Sequence, residues 1–249
     1  MNSKDSRLVT NHFPNPLNSG YLHFFTNFAP ENQKQITMAT KMLLLSFALT
    51  VTFLLSGQNT ETMHLPQPQK SGGMPLMQAL QNRQSQRSFS EKELPLQTLS
   101  NLLWAAYGVN RPDDKRTVPS AMGWNEFDIY LVQPDGWYWY NPQEHSLVKK
   151  GDTDLRTLAS TQKYGQVAPL NLIYVADYSR MTNAEQEEKS LYAAMDVGFI
   201  SQNVYLFCAS EELATVVRAS VNKKDLREKM NLSPEQHIVL GQTAGFPGE

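Results

Sequence analysis

The segment 187–210 restricts the fold more than any other, because it reads as one long helix that is apolar around most of its circumference. A helix apolar on nearly all sides lies inside a protein rather than on its surface. This one nevertheless carries polar residues. Asp196 and Asn203 are seven apart and share a face, and Gly198 and Gln202 are four apart. Polar groups buried in a helix must find partners. An internal side-chain network, a polar ligand or a dimer partner would each supply them.

Around this helix, periodicity predicts a mixed chain. Helices are expected over 75–83, with Leu76, Met77 and Leu80 on one face, and over 96–107, with Leu96, Leu99, Leu102, Leu103 and Ala106 as the apolar stripe. Pro95 suits a first turn and Gly108 a stop. Strands are expected over 126–132 and 137–140, joined by a turn at Pro134, Asp135 and Gly136, and then over 170–176, over 214–217 and from 238. The run 170–176 is apolar nearly throughout, which suits a central strand. Residues 223–230 read as a short charged helix. Helices and strands mix without strict alternation, so the fold class is α+β.

The N-terminal third differs. Residues 1–37 are polar and without period, and they read as an over-called upstream extension, with translation starting at Met38. Lys41, the apolar run 43–55 and the small residues Ser56 and Gly57 make 38–57 a secretory signal. The run is too short for a comfortable membrane span. An uncleaved anchor is the alternative, and only then is the membrane a partner. Residues 58–73 read as a linker and 74–249 as the folded domain. The expected location is outside the cytoplasm, in the periplasm.

A formal charge of −2 over 249 residues argues against nucleic acid as a partner. The single cysteine, Cys208, lies in an apolar run and reads as core filling. One cysteine makes no internal disulfide, and the sequence has no metal-type cluster of Cys and His.

Two further segments hint at chemistry. Arg83, Gln84, Ser85 and Arg87 follow a helix end, where guanidinium forks and a hydroxyl suit a phosphate and a neighbouring polyol. Taken alone, a solvated basic turn is the simpler reading. Pro119, Ser120 and Ala121 are small and stiff and let backbone approach a flat ligand, although by themselves they signal only a turn.

Together these segments resemble the nitroreductase family, in particular the branch that includes the SagB-type thiazoline and oxazoline dehydrogenases. The resemblance covers 74–247. It rests on Arg83, Ser85, Arg87 and Phe89, on the run from Leu99 to Gly108, on Pro119 to Ala121, on Tyr138, Tyr140, Pro142, His145 and Leu147, on Asp196, Gly198, Gln202 and Asn203, and on Gly241, Gly245, Phe246 and Pro247. It implies a central, mainly antiparallel sheet flanked by helices, in an intertwined homodimer with FMN at the subunit interface. It implies that Arg83, Ser85 and Arg87 hold the phosphate and ribityl chain, with Gln84 beside them. Pro119, Ser120 and Ala121 would approach the flavin ring or the other subunit's flavin, Asn203 would support the ring, and the backbone N–H groups of Leu213 and Ala214 would meet it.

The sequence departs from the family at two places. The usual Gly-Leu-Gly-Thr is Glu212, Leu213, Ala214 and Thr215 here, and where relatives carry a basic residue after a final Gly-Tyr-Pro this chain has Gly248 and Glu249. Either that phosphate contact is missing here or Arg218 replaces it. The implied activity is FMN-dependent hydride or electron transfer from a donor such as NAD(P)H to a small nitro or quinone acceptor, by a ping-pong scheme, with no catalytic side chain assigned. Azoline oxidation on a peptide, and flavin binding without turnover, are the alternatives.

Overall fold

A computed structural model describes residues 61–249. The extension, the signal and the start of the linker fall outside the described residues. In chain order the elements are β1 (Thr62–His64), α1 (Leu76–Asn82), α2 (Leu96–Tyr107), β2 (Phe127–Gln133), β3 (Gly136–Asn141), β4 (Ser146–Gly151), α3 (Arg156–Ala159), α4 (Lys163–Val167), β5 (Leu170–Asp177), α5 (Gln186–Ser210), β6 (Ala214–Arg218), α6 (Lys223–Lys229) and β7 (Gln236–Gly245). The strands form one seven-stranded sheet in the order β1-β4-β3-β2-β5-β7-β6. Every pairing is antiparallel. The α+β class and the antiparallel sheet are as expected.

The apolar run of β5 follows from its position. It lies between β2 and β7, and both of its faces are covered. Leu170, Leu172, Tyr174 and Ala176 face one core, with Leu102 and Leu103 of α2 and Val197 and Ile200 of α5. Ile173 and Val175 face another, with Leu155, Ala159 and Leu226. Side chains alternate along a strand, so a strand buried on both faces is apolar nearly throughout, and its buried Asn171 is satisfied by hydrogen bonds from Arg218 and Thr243. Leu102 and Leu103 are fully buried, and each such side chain contributes about 1.5–3 kcal/mol of transfer free energy. In the β2–β3 hairpin, Gly136 takes a φ of 141°, and a Cβ there would lie 2.3 Å from the Gly151 carbonyl oxygen. Only glycine allows that approach.

Three expectations need correction. Part of the stretch read as linker belongs to the sheet: β1 pairs with β4, and Leu65 behind it is buried. The α1 face carrying Leu76, Met77 and Leu80 is exposed, and the residue turned inward is Ala79. Nor is α5 buried all round. Its inner face holds Ala193, Val197, Ile200 and Val204, but Leu191, Met195 and Phe199 form an exposed stripe at four-residue intervals. Sequence reading also missed β4, α3 and α4, which are too short to show a period.

Candidate functional site

The chain leaves α1 in an extended conformation, with Arg83 at φ −56° and ψ 119°. The run beyond it lies along edge strand β6, where the Gln86 N–H donates to the Thr215 carbonyl at 3.0 Å. Buried Phe89 pairs with Pro247 and pins the far end of the run. Between this run and the last turns of α5 opens a cleft of about 550 Å³. Gln81, Asn82, Arg83, Gln84 and Gln86 line one side, and Tyr205, Cys208 and Ala209 the other. Glu212, Leu213, Thr215 and Pro247 complete it.

Tyr205 organises the cleft. The Arg83 guanidinium sits over its ring, 5.2 Å from the centroid, a cation–π contact that contributes about 0.5–1 kcal/mol at an exposed site. The Tyr205 hydroxyl accepts from the Val217 N–H at 3.0 Å and lies 2.8 Å from the Ser85 Oγ. Nothing in the sequence marked Tyr205 or Gln86, and Thr215 stood out only as the unchanged last residue of the altered Gly-Leu-Gly-Thr stretch. Tyr205 stands three and four residues before Cys208 and Ala209, in a helical run that reads simply as apolar. Burial pushes the Cys208 thiol up to about 12, so it carries no thiolate at neutral pH.

The other expected residues divide. Arg83, Gln84 and Leu213 line the cleft, and Ser85 is bonded to it through Tyr205. Arg87 is exposed and lies outside the lining. The Leu213 N–H, expected to meet a ring, donates instead to the Cys208 carbonyl at 2.8 Å, because the left-handed Glu212 (φ 55°) folds the chain back on the helix end. Ala214 is buried and paired with Gly245.

Arg218 does not substitute for a phosphate contact. Thr215 and Val217 share one face of β6, and Arg218 takes the other. There it is buried, its Nε donating to the Ser160 Oγ at 3.2 Å and its Nη2 to the Asn171 side chain. Burial lowers its pKa to about 10.

The turn at Pro119, Ser120 and Ala121 stands apart. The Ala121 N–H donates to the Asp196 carboxylate at 2.8 Å. The Ser120 hydroxyl donates to Glu126 Oε2 at 3.1 Å and accepts from the Asn125 N–H at 2.9 Å. Asp196 and Tyr205 are nine residues apart, about 14 Å along the α5 axis, so within one chain the turn and the cleft do not meet. Asn203 also serves the scaffold, its Nδ2 donating to the Ala105 carbonyl at 2.9 Å and tying α5 to α2. Its partner is thus an internal one.

Glu126 was read only as the start of a strand. It is fully buried, and its Oε1 has no hydrogen-bond partner among the described residues. Burial first, then the neighbouring Asp196 carboxylate, push its carboxyl up to about 7. A Ser100–His145–Tyr140 chain has the composition of an activated nucleophile but serves the structure. The Ser100 hydroxyl donates to the Pro66 carbonyl at 2.6 Å and lies 2.7 Å from His145 Nε2, with the Tyr140 hydroxyl 2.9 Å from Nδ1. With its proton on Pro66, Ser100 can only accept from the histidine.

Comparison with known proteins gives a consistent picture. The model of the Nitroreductase family matches residues 80–246. A nitroreductase-type protein of Methanocaldococcus jannaschii is 33% identical over 175 residues, 66% of this chain and 88% of that protein. The crystal structure of a nitroreductase-type protein from Ralstonia eutropha JMP134 has a TM-score of 0.73 at 39% identity, covering 78% of this chain and 92% of that one. The NADPH:FMN oxidoreductase from Vibrio harveyi, solved in complex with NAD+, has a TM-score of 0.53 at 19% identity over 70% of this chain and 69% of that one. At that identity the likeness is one of fold.

Proposed function

Because the chain belongs to the nitroreductase family of oxidoreductases, we propose that the cleft beside Arg83 holds FMN and that the protein passes hydride or electrons from a reduced donor such as NAD(P)H to a small nitro or quinone acceptor. The cleft carries this reading. Its volume of about 550 Å³ lies within the range of cofactor pockets, about 300–1,000 Å³. Its donors fit the group as well. Arg83 offers a guanidinium to a phosphate, and the amides of Gln84 and Gln86 suit ribityl hydroxyls. Leu213 and Pro247 give apolar walls.

Bound FMN supplies the two-electron chemistry. The chain's part is to hold the phosphate at Arg83, keep Arg83 in place on Tyr205, and leave an open site for donor and acceptor in turn. No protein nucleophile enters, since Cys208 stays protonated and Ser100 is committed to Pro66.

The proposal includes a homodimer. Leu191, Met195 and Phe199 are 54%, 51% and 47% exposed, and Leu76 and Met77 are 63% and 76% exposed. Gly198 lies in the same stripe, and no atom comes within 4 Å of a Cβ built there. Glycine inside a helix costs about 0.5–1 kcal/mol relative to alanine, and no close approach among the described residues requires it. A second copy packed on the stripe accounts for both features, and it lets the Pro119–Ala121 turn of one copy serve the cleft of the other. The hydrogen-bonded Tyr140 and His145, with buried Leu147 beside them, belong to the motif that supports the SagB-like branch. The apolar run 43–55 supports export.

Purified protein is expected to be yellow, to bleach on anaerobic addition of NADH or NADPH, and to recover colour with a nitroaromatic or quinone. Colourless protein that takes up no FMN overturns the cofactor. Bound FMN that neither nicotinamide reduces overturns the donor.

A further inference from the structure

A second cavity, of about 360 Å³, opens between the loop after α2 and the base of the β2–β3 hairpin. It shares no lining residue with the first cleft. Tyr107 and Arg116 line it from the loop side, Trp124, Asn125 and Phe127 from the approach to β2, and Trp139 from β3.

Its charges do not balance. Arg180 at its rim is saturated, bound to both Asp128 carboxylate oxygens at 2.9 and 2.8 Å and 3.4 Å from Asp177. Asp128 in turn also accepts from the Trp139 Nε1 at 3.2 Å. Arg116 has no such counterion. It is 6% exposed, and its Nε and Nη1 have no hydrogen-bond partner among the described residues. The guanidinium lies over the Tyr107 ring, 5.2 Å from its centroid. Tyr107 is 3% exposed, and its hydroxyl also has no partner. Burial holds that phenol well above its ordinary pKa, so it remains a donor. Asp114, the other carboxylate at the cavity, is exposed and screened by solvent.

A buried guanidinium without an anion is costly, and so is a buried hydroxyl without an acceptor. One carboxylate satisfies both, because its two oxygens match the guanidinium fork and still accept from a phenol. The neighbouring walls are indole and phenyl rings, which suit a flat apolar body better than a polyanion. We propose that this cavity is a binding site for a small aromatic carboxylate, with its charge on Arg116 and Tyr107 and its ring against Trp124 and Trp139. The site is built from different residues than the FMN cleft, so it stands or falls independently of that reading.

The test is calorimetric titration of the full chain with benzoate, with benzamide as the neutral isostere and acetate as the ringless anion, each with and without FMN. Benzoate is expected to saturate at one per chain in both conditions and to quench tryptophan fluorescence, with benzamide and acetate weaker by about tenfold or more. Arg116→Gln is expected to weaken benzoate about tenfold to a hundredfold. Tyr107→Phe, which removes only the hydroxyl, is expected to weaken it several-fold and covers the case in which the arginine variant misfolds. Arg83→Ala is expected to leave benzoate unchanged. Equal affinity for benzamide, no saturation in wild type, or a loss on Arg83→Ala with none on Arg116→Gln or Tyr107→Phe overturns the proposal.

Discussion

Glu126 is a buried carboxyl without an ion pair among the described residues, and replacing it with glutamine should stabilise the protein in a pH-dependent way. Folded Glu126 titrates at about 7, against an ordinary value of 4.5. The folded state therefore holds a proton that the unfolded chain releases. Stability from this site is fully present below 4.5, falls as pH rises through 7, and stays low above that. At about 1.4 kcal/mol per pH unit, the loss is about 3 kcal/mol. Glutamine imitates the protonated acid. Its carbonyl can accept from the Ser120 hydroxyl, and its amide can donate toward Asp196. Urea unfolding of wild type and Glu126→Gln, followed by tryptophan fluorescence from pH 4.5 to 8, should give similar stabilities at the acid end and a variant more stable by up to about 3 kcal/mol at the alkaline end. Parallel stability curves, or a variant weaker at pH 8, would refute the assignment of the proton to this pair.

Arg83→Ala should weaken FMN about tenfold to a hundredfold while scarcely changing riboflavin, which lacks the phosphate. Arg87→Ala should do less, since Arg87 lies outside the cleft lining. Equal losses for both flavins in Arg83→Ala would place the phosphate elsewhere. Gly198→Ala should raise helix stability by about 0.5–1 kcal/mol while weakening self-association in light scattering; a variant that dimerises as well as wild type contradicts close packing at Gly198. Mass spectrometry of protein from its native host should find a mature N-terminus near Gln58, and mature peptides from residues 1–37 would rule out both the start at Met38 and the cleavage.

Some of this architecture is legible in the sequence because it is local. Helix α2 follows from a stripe of leucines between Pro95 and Gly108, and β5 from an unbroken apolar run. In each, the period of the backbone and the burial of its faces write themselves into consecutive residues. Strand β1 has no such trace, since a three-residue edge strand with exposed side chains pairs with β4 through its backbone, which leaves no apolar pattern in the sequence. The exposed stripe of α5 was read as buried because a sequence reports that residues are apolar, not what covers them.

The same division runs through the sites. Arg83 could be picked out as a cation at a helix end, yet Arg87, four residues on, is exposed and outside the cleft lining. Tyr205, Thr215 and Pro247 reach Arg83 only through the packing of α5 and the sheet. Glu126 and Asp196 are seventy residues apart, and Arg116 is an ordinary loop arginine until the hairpin closes over it. Local spacing determined which elements form. The tertiary structure decided which polar groups share a desolvated space, because desolvation belongs to the environment that distant segments build and not to the residue itself.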